Sequence, residues 1–137
     1  MKRIKARQLK KDDIALFNEW LYANRDLNTF DPEIFRYEST RILAADDGSE
    51  PVMYMPYHLT IVLESLAPNP TASRQQRALA IRELVHEIAD TATKLGVGEI
   101  WFAGTDQHLI DFAQDHGFEV MNAKVLKAKT STLCRRK

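Results

Sequence analysis

The chain has 137 residues, 45% of them apolar and 28% charged, which is one domain's worth of ordinary globular composition and excludes both a disordered and a membrane-embedded protein. Lys plus Arg number 19 and Asp plus Glu number 19, so the whole molecule has no net field toward nucleic acid or anionic lipid, neither is expected as a partner, and any anion site must be local. No apolar run approaches the roughly 20 residues that cross a bilayer, and the opening Met1-Lys2-Arg3-Ile4-Lys5 leads into charge rather than a signal segment, so the cytoplasm is the expected compartment.

Ile4 to Leu9 predicts a first strand, and Asp12 or Asp13 then caps a helix with Ile14, Phe17, Trp20 and Leu21 at helical spacing. Asp31-Pro32-Glu33 places a cap, a first-turn proline and a carboxylate in order, opening a short helix through about Tyr37. Arg41 to Ala45 and Val52 to Tyr57 flank the turn cluster Asp46-Asp47-Gly48-Ser49 and predict a hairpin, with Pro56 at an edge or bulge. Leu59 to Leu66 is the most β-rich run, and its near-continuous apolar character predicts a central strand covered on both faces.

A loop containing Pro68, Asn69, Pro70 and Ser73 precedes a long amphipathic helix traced by Leu79, Ile81, Leu84, Val85, Ile88, Ala89, Ala92 and Leu95 and ended by Gly96 and Gly98. Glu99 to Ala103 predicts a buried strand, and Asp106 caps a helix carrying Leu109, Ile110, Phe112 and Ala113. Gly117 ends that helix before a last strand from Phe118 to about Ala128. The expected order is β-α-α-β-β-β-α-β-α-β, a single α/β (α+β) domain over residues 1–130 followed by a basic tail over 131–137. Cys134, the lone cysteine, stands in that tail and excludes an intrachain disulfide.

Where a strand runs through a loop into a helix, unpaired N–H groups at the helix start make a seat for phosphate. Gln75-Gln76-Arg77-Ala78-Leu79-Ala80 occupies such a position, and it resembles the pyrophosphate loop of the GCN5-related N-acetyltransferases, whose pattern is Gln or Arg, two variable residues, Gly, one variable residue, then Gly or Ala. Leu63-Glu64-Ser65-Leu66-Ala67 resembles the strand leading into that loop. Asp106, Leu109, Phe112, Gly117 and Phe118 fall at the spacings of the family's downstream segment, Asn-x-x-Ala-x-x-Phe-Tyr, three variable residues, then Gly-Phe. Ala78 stands for the first Gly, Asp106 for Asn and Ala113 for Tyr. The family fold is a mixed, mostly antiparallel central sheet flanked by helices, and the element order above matches it.

The resemblance implies acetyl-CoA as cofactor, held by Leu66, Ala67, Gln75, Gln76, Arg77, Ala78, Leu79 and Ala80, with Asp106 and Phe112 at its far end. It implies transfer to a primary amine of a small molecule or peptide. An amine with a pKa near 10.4 is free in only about one molecule in two to three thousand at neutral pH, so a base is required, and Glu64 near the end of the central strand is the candidate. Tyr54 and Tyr57 are candidate proton donors to the leaving thiolate in place of the tyrosine absent at Ala113, and His58 could stand near the acceptor. Arg74, Arg77 and Arg82 surround the phosphate seat, whereas His86 reads as exposed on the long helix and His108 and His116 lack a metal-ligand partner at i+4. The family's closing hairpin is missing after the last strand, which leaves the acceptor side open or completed by a partner, as in a homodimer. A domain of the same fold without catalysis, like the acetyltransferase-like proteins of bacteriophage particles, is the alternative that Ala78, Ala113 and the short end suggest; an unrelated interaction protein is the third.

Overall fold

The computed structural model describes residues 2–27 and 31–135 and divides the chain into two units, Met1–Ala103 and Gly104–Lys137. It is a mixed α/β protein with one three-stranded antiparallel sheet, one parallel strand pair and four α-helices among the described residues.

In the first unit, β1 (Lys5–Gln8), β2 (Arg41–Asp46) and β3 (Pro51–Tyr57) form the antiparallel sheet in that order. The hairpin turns where expected: the Asp46 and Asp47 carboxylates accept the N–H groups of Gly48, Ser49 and Glu50, and Gly48 supplies the positive φ of 96°. Pro56 lies in β3, an edge strand of this sheet, where a missing N–H is tolerated.

The register sets Arg7 opposite Ala44 and Ala44 opposite Tyr54, so these three share one face as a row across the sheet. Helix α1 (Asp13–Ala23) lies over that face. Its Phe17, only 5% exposed, meets the rings of Phe35 and Tyr54 edge-on at 5.7 Å in both cases, and Trp20 meets Tyr54 at 5.3 Å. Ala44 beneath is fully buried, and Ile34 of a 3₁₀ helix (Pro32–Arg36) joins the same core. Asp31 caps that 3₁₀ helix by accepting the N–H of Glu33.

The run from Leu59 to Leu66 does not form a long central strand. Its ladder is confined to β4 (Ile61–Leu63), which pairs in parallel with β5 (Ile100–Phe102) and joins no strand of the first sheet. Val62 is half exposed, so the expectation of cover on both faces is also corrected. Apolar continuity favours a buried strand but names no neighbour, and Thr60 and Glu64 at the two ends limit the run that can be paired and dry.

Helix α2 (Arg74–Lys94) connects the two parallel strands and turns Ala78, Ile81, Val85, Ile88 and Ala92 inward, with Leu79, Leu84 and Leu95 left exposed. It ends as a Schellman motif: Val97 donates to the Ala92 carbonyl at 2.9 Å and Gly96 to Thr93 at 3.2 Å, with φ +70° at Gly96. A Cβ built on Gly98 would overlap the ring of Tyr37.

In the second unit, α3 (Gln107–Asp115) is capped by Asp106, whose carboxylate accepts the N–H groups of His108 at 2.9 Å and Leu109 at 3.3 Å. Gly117 and Phe118 close it with the same two-bond pattern as α2. The strand expected from Phe118 to Ala128 is not formed; the backbone there is irregular, and a short helix α4 (Thr130–Leu133) follows. A strand without a ladder leaves its polar backbone to water, which irregular chain does equally well. Of the expected tail, Arg136 and Lys137 lie outside the described residues, and Cys134 is exposed. No helix among the described residues is long and apolar enough to cross a membrane.

Candidate functional site

Parallel strands joined by a helix share one end, and the helix that follows the first strand starts from it; ligands of α/β proteins collect there because strand termini and helix N–H groups converge. In the first unit that place is the stretch from Leu63, the last β4 residue paired with β5, to the first turn of α2. Glu64 is the first residue past the ladder. It is exposed and makes no hydrogen bond or ion pair among the described residues. Leu66 and Ala67 follow it, also exposed.

The loop then folds on itself. The Asn69 side chain accepts from the N–H and hydroxyl of Thr71, and the Asn69 carbonyl accepts from the N–H of Ala72 at 3.1 Å. Ser73 opens α2 with a reciprocal cap: its hydroxyl accepts the N–H of Gln76 at 3.1 Å, while the Gln76 side chain accepts the N–H of Ser73 at 2.9 Å. Gln76 is thereby committed to the cap, through both its backbone and its side chain. The Ser-x-x-Gln spacing is itself a helix-start signature, and it makes Ser73 the helix cap where a loop residue was expected.

Arg77 is turned the same way. Its Nη2 donates to the carbonyls of Asn69 at 3.2 Å and Pro70 at 3.0 Å, pinning the loop to the helix, and its Nε is buried without a partner among the described residues. Arg74 and Arg82 are exposed, as are Gln75, Leu79 and Ala80, whereas Ala78 is half-buried on the inner side. What remains for an anion is the N–H of Arg74 and of Gln75, which meet no acceptor among the described residues. Two adjacent amides can hold one small anionic group; a second would need the Ser73–Gln76 cap or the Arg77 pin to open. Asp106 and Phe112 lie in the second unit, where Asp106 is the α3 cap and the Phe112 ring stacks on His116 at 4.2 Å.

Two further polar clusters occupy the first unit. Arg7 faces Asp13 with two hydrogen bonds and reaches Asp46 through Nε at 2.9 Å, while the Tyr54 hydroxyl donates to Asp13 at 2.7 Å. The Arg7 guanidinium, then the Lys10 N–H, hold the Asp13 carboxyl well below the usual carboxylate range. Burial, then the bond to Asp13, pushes the Tyr54 phenol up to about 12. Tyr54 is therefore a clamp on the α1 start rather than a ready proton donor.

The other cluster gathers at the opposite ends of β4 and β5. Glu99 accepts the indole N–H of Trp101 at 3.0 Å and lies 4.0 Å from His58 Nε2; its carbonyl accepts the Thr60 hydroxyl at 3.0 Å. The Tyr37 ring stands 5.7 Å from that of His58, and burial followed by Glu99 raises its phenol. His58 thus stands with Glu99 before the start of β4, away from Glu64 at its end. Tyr57, His86 and His108 are exposed.

No protein-family model matches the chain, and no curated protein matches it.

Proposed function

We propose that the chain is a divergent member of the GCN5-related fold and acts as an acetyl-CoA-dependent N-acetyltransferase, moving an acetyl group directly to a primary amine of a small molecule or peptide. The observation that carries this reading is the β4–α2–β5 unit, whose parallel ladder stops at Leu63 and Phe102 beside an α2 first turn with the Arg74 and Gln75 amides uncommitted. Acetyl-CoA would supply the activated thioester. Arg74 and Gln75 would hold one of its phosphates through main-chain N–H, with the exposed guanidinium of Arg74 adding charge.

Glu64, the first residue past the β4 ladder, is the base in this reading. Its exposed carboxylate takes the first proton, which the acceptor ammonium must lose before the nitrogen attacks the thioester carbonyl; the C–N bond forms, the C–S bond breaks, and the second proton, shed by the nitrogen as the amide forms, passes through water to the thiolate. Water takes this part because Ala113 occupies the position where the resembled family carries a tyrosine.

A second reading, a domain of this fold that binds without catalysis, is favoured by one arrangement: Arg77 and Gln76 are spent on the loop and the helix cap. Calorimetry with acetyl-CoA and with CoA tests both. Binding by the native chain that is weakened in Arg74→Glu supports the transferase reading when amine acetylation accompanies it, binding without turnover supports the second, and no binding by either ligand removes the coenzyme altogether.

A further inference from the structure

The overall neutrality of the chain is a sum of two unlike parts. No Asp or Glu follows Glu119, whereas six of the 19 cations do: Lys124, Lys127, Lys129, Arg135, Arg136 and Lys137. The first 119 residues therefore hold the other 13 cations against all 19 anions. The stretch after Glu119 thus carries six cations and no side-chain carboxylate of its own.

That stretch is apolar as well as basic. Leu126 is 92% exposed, Val120 70% and Val125 60%, with Met121 and Leu133 also in solvent. Lys124 and Lys127 bracket the Val125-Leu126 pair, and the ammonium groups of Lys124, Lys127 and Lys129 make no hydrogen bond or ion pair among the described residues. The backbone from Phe118 to Lys129 is in neither helix nor strand, so it can adapt to a surface at little structural cost.

We propose that residues 120–135 form a contact surface for anionic lipid headgroups. Two kinds of group are exposed together, and a bilayer interface satisfies both: headgroup phosphates and carboxylates take the lysines, and the acyl boundary takes Val125 and Leu126. Nucleic acid satisfies one of them only. It would pair with the lysines and leave the aliphatic pair in water, and no Phe, Tyr, Trp or His follows Phe118 to stack on a base. The expectation of no membrane partner rested on net charge and on the lack of a spanning run, neither of which bears on a local interfacial contact. This inference stands apart from the proposed acetyl transfer and involves none of its residues.

Co-sedimentation of the full chain with vesicles tests it, comparing phosphatidylcholine alone with phosphatidylcholine plus phosphatidylserine. The chain partitions onto the anionic vesicles only, and less so in high salt. Reversal of Lys124, Lys127 and Lys129 to Glu reduces partitioning by at least about tenfold, and Val125→Ser with Leu126→Ser reduces it several-fold with the charge intact. All five positions are exposed, so both variants keep the native circular dichroism. Failure to sediment with anionic vesicles overturns the proposal, as does wild-type partitioning by the serine variant. Retention of a DNA duplex in place of vesicles also overturns it and assigns the segment to nucleic acid.

Discussion

Arg7 meets Asp13 fork to fork, with Nη1 2.7 Å from Oδ2 and Nη2 3.0 Å from Oδ1. The pair joins the first strand to the first turn of α1, and the Tyr54 hydroxyl and the Lys10 N–H fill the remaining acceptor sites of the carboxylate. Asp13→Asn keeps the shape and removes the charge, so the variant unfolds at lower urea concentration than the native chain at neutral pH. The sign of its pH dependence follows from the depressed Asp13 value. The contribution is complete above the unfolded aspartate value of about 3.9 and is lost as pH falls through the lower folded value. The gap between the two urea midpoints is therefore constant at neutral pH and closes in acid; a gap that persists at low pH assigns the loss to packing instead.

Tyr54 gives the alkaline counterpart. Its phenol ionises near 12 in the folded chain and near 10 when unfolded. Between those values the unfolded chain has shed a proton that the folded chain keeps, so stability falls as pH rises. Tyr54→Phe costs about 1–2 kcal/mol at neutral pH through the lost hydrogen bond, and its thermal midpoint declines less steeply than the native one above pH 10 or so. Parallel declines would show that the phenol is not held by Asp13.

Ser73→Ala removes one half of the α2 cap and costs about 1 kcal/mol in urea unfolding. It also frees the Gln76 N–H, adding a third unpaired amide to those of Arg74 and Gln75. Acetyl-CoA affinity measured by calorimetry is then equal to or greater than that of the native chain; a marked fall would place the ligand against the Ser73 hydroxyl instead of the amides.

Glu64→Gln separates chemistry from binding. Turnover of an accepted amine falls by about 10²-fold or more, while acetyl-CoA affinity is unchanged because the carboxylate stands at the strand end and the proposed phosphate seat on the helix. Unchanged turnover removes Glu64 from the reaction.

Local features of this chain can be read from its residues, and pairings between distant ones cannot. The caps at Asp31, Asp106, Gly96 and Gly117 lie where their own neighbours put them, because each bond spans five residues or fewer. The row of Arg7, Ala44 and Tyr54 brings together residues up to 47 apart in sequence, and it follows from a register that no single segment encodes. The same reason separates β4 from the first sheet and leaves Phe118 to Ala128 without a ladder: both runs have strand-like residues, and neither names its partner. At the candidate site the position of the loop was legible. The use of Gln76 and Arg77 within it was not, since either side chain could reach outward or fold back.

Gly98 carries ordinary backbone angles, unlike Gly48, Gly96 and Gly117. At Gly48 and Gly117 an added methyl would find open space and it is the positive φ that resists a side chain, whereas at Gly98 the Tyr37 ring already fills the volume a side chain would take. Positions 37 and 98 are thus tied as a size pair. In a random library sorted for folded protein, glycine should persist at 98 for as long as an aromatic stands at 37, and larger residues should enter there only alongside a truncation of its ring.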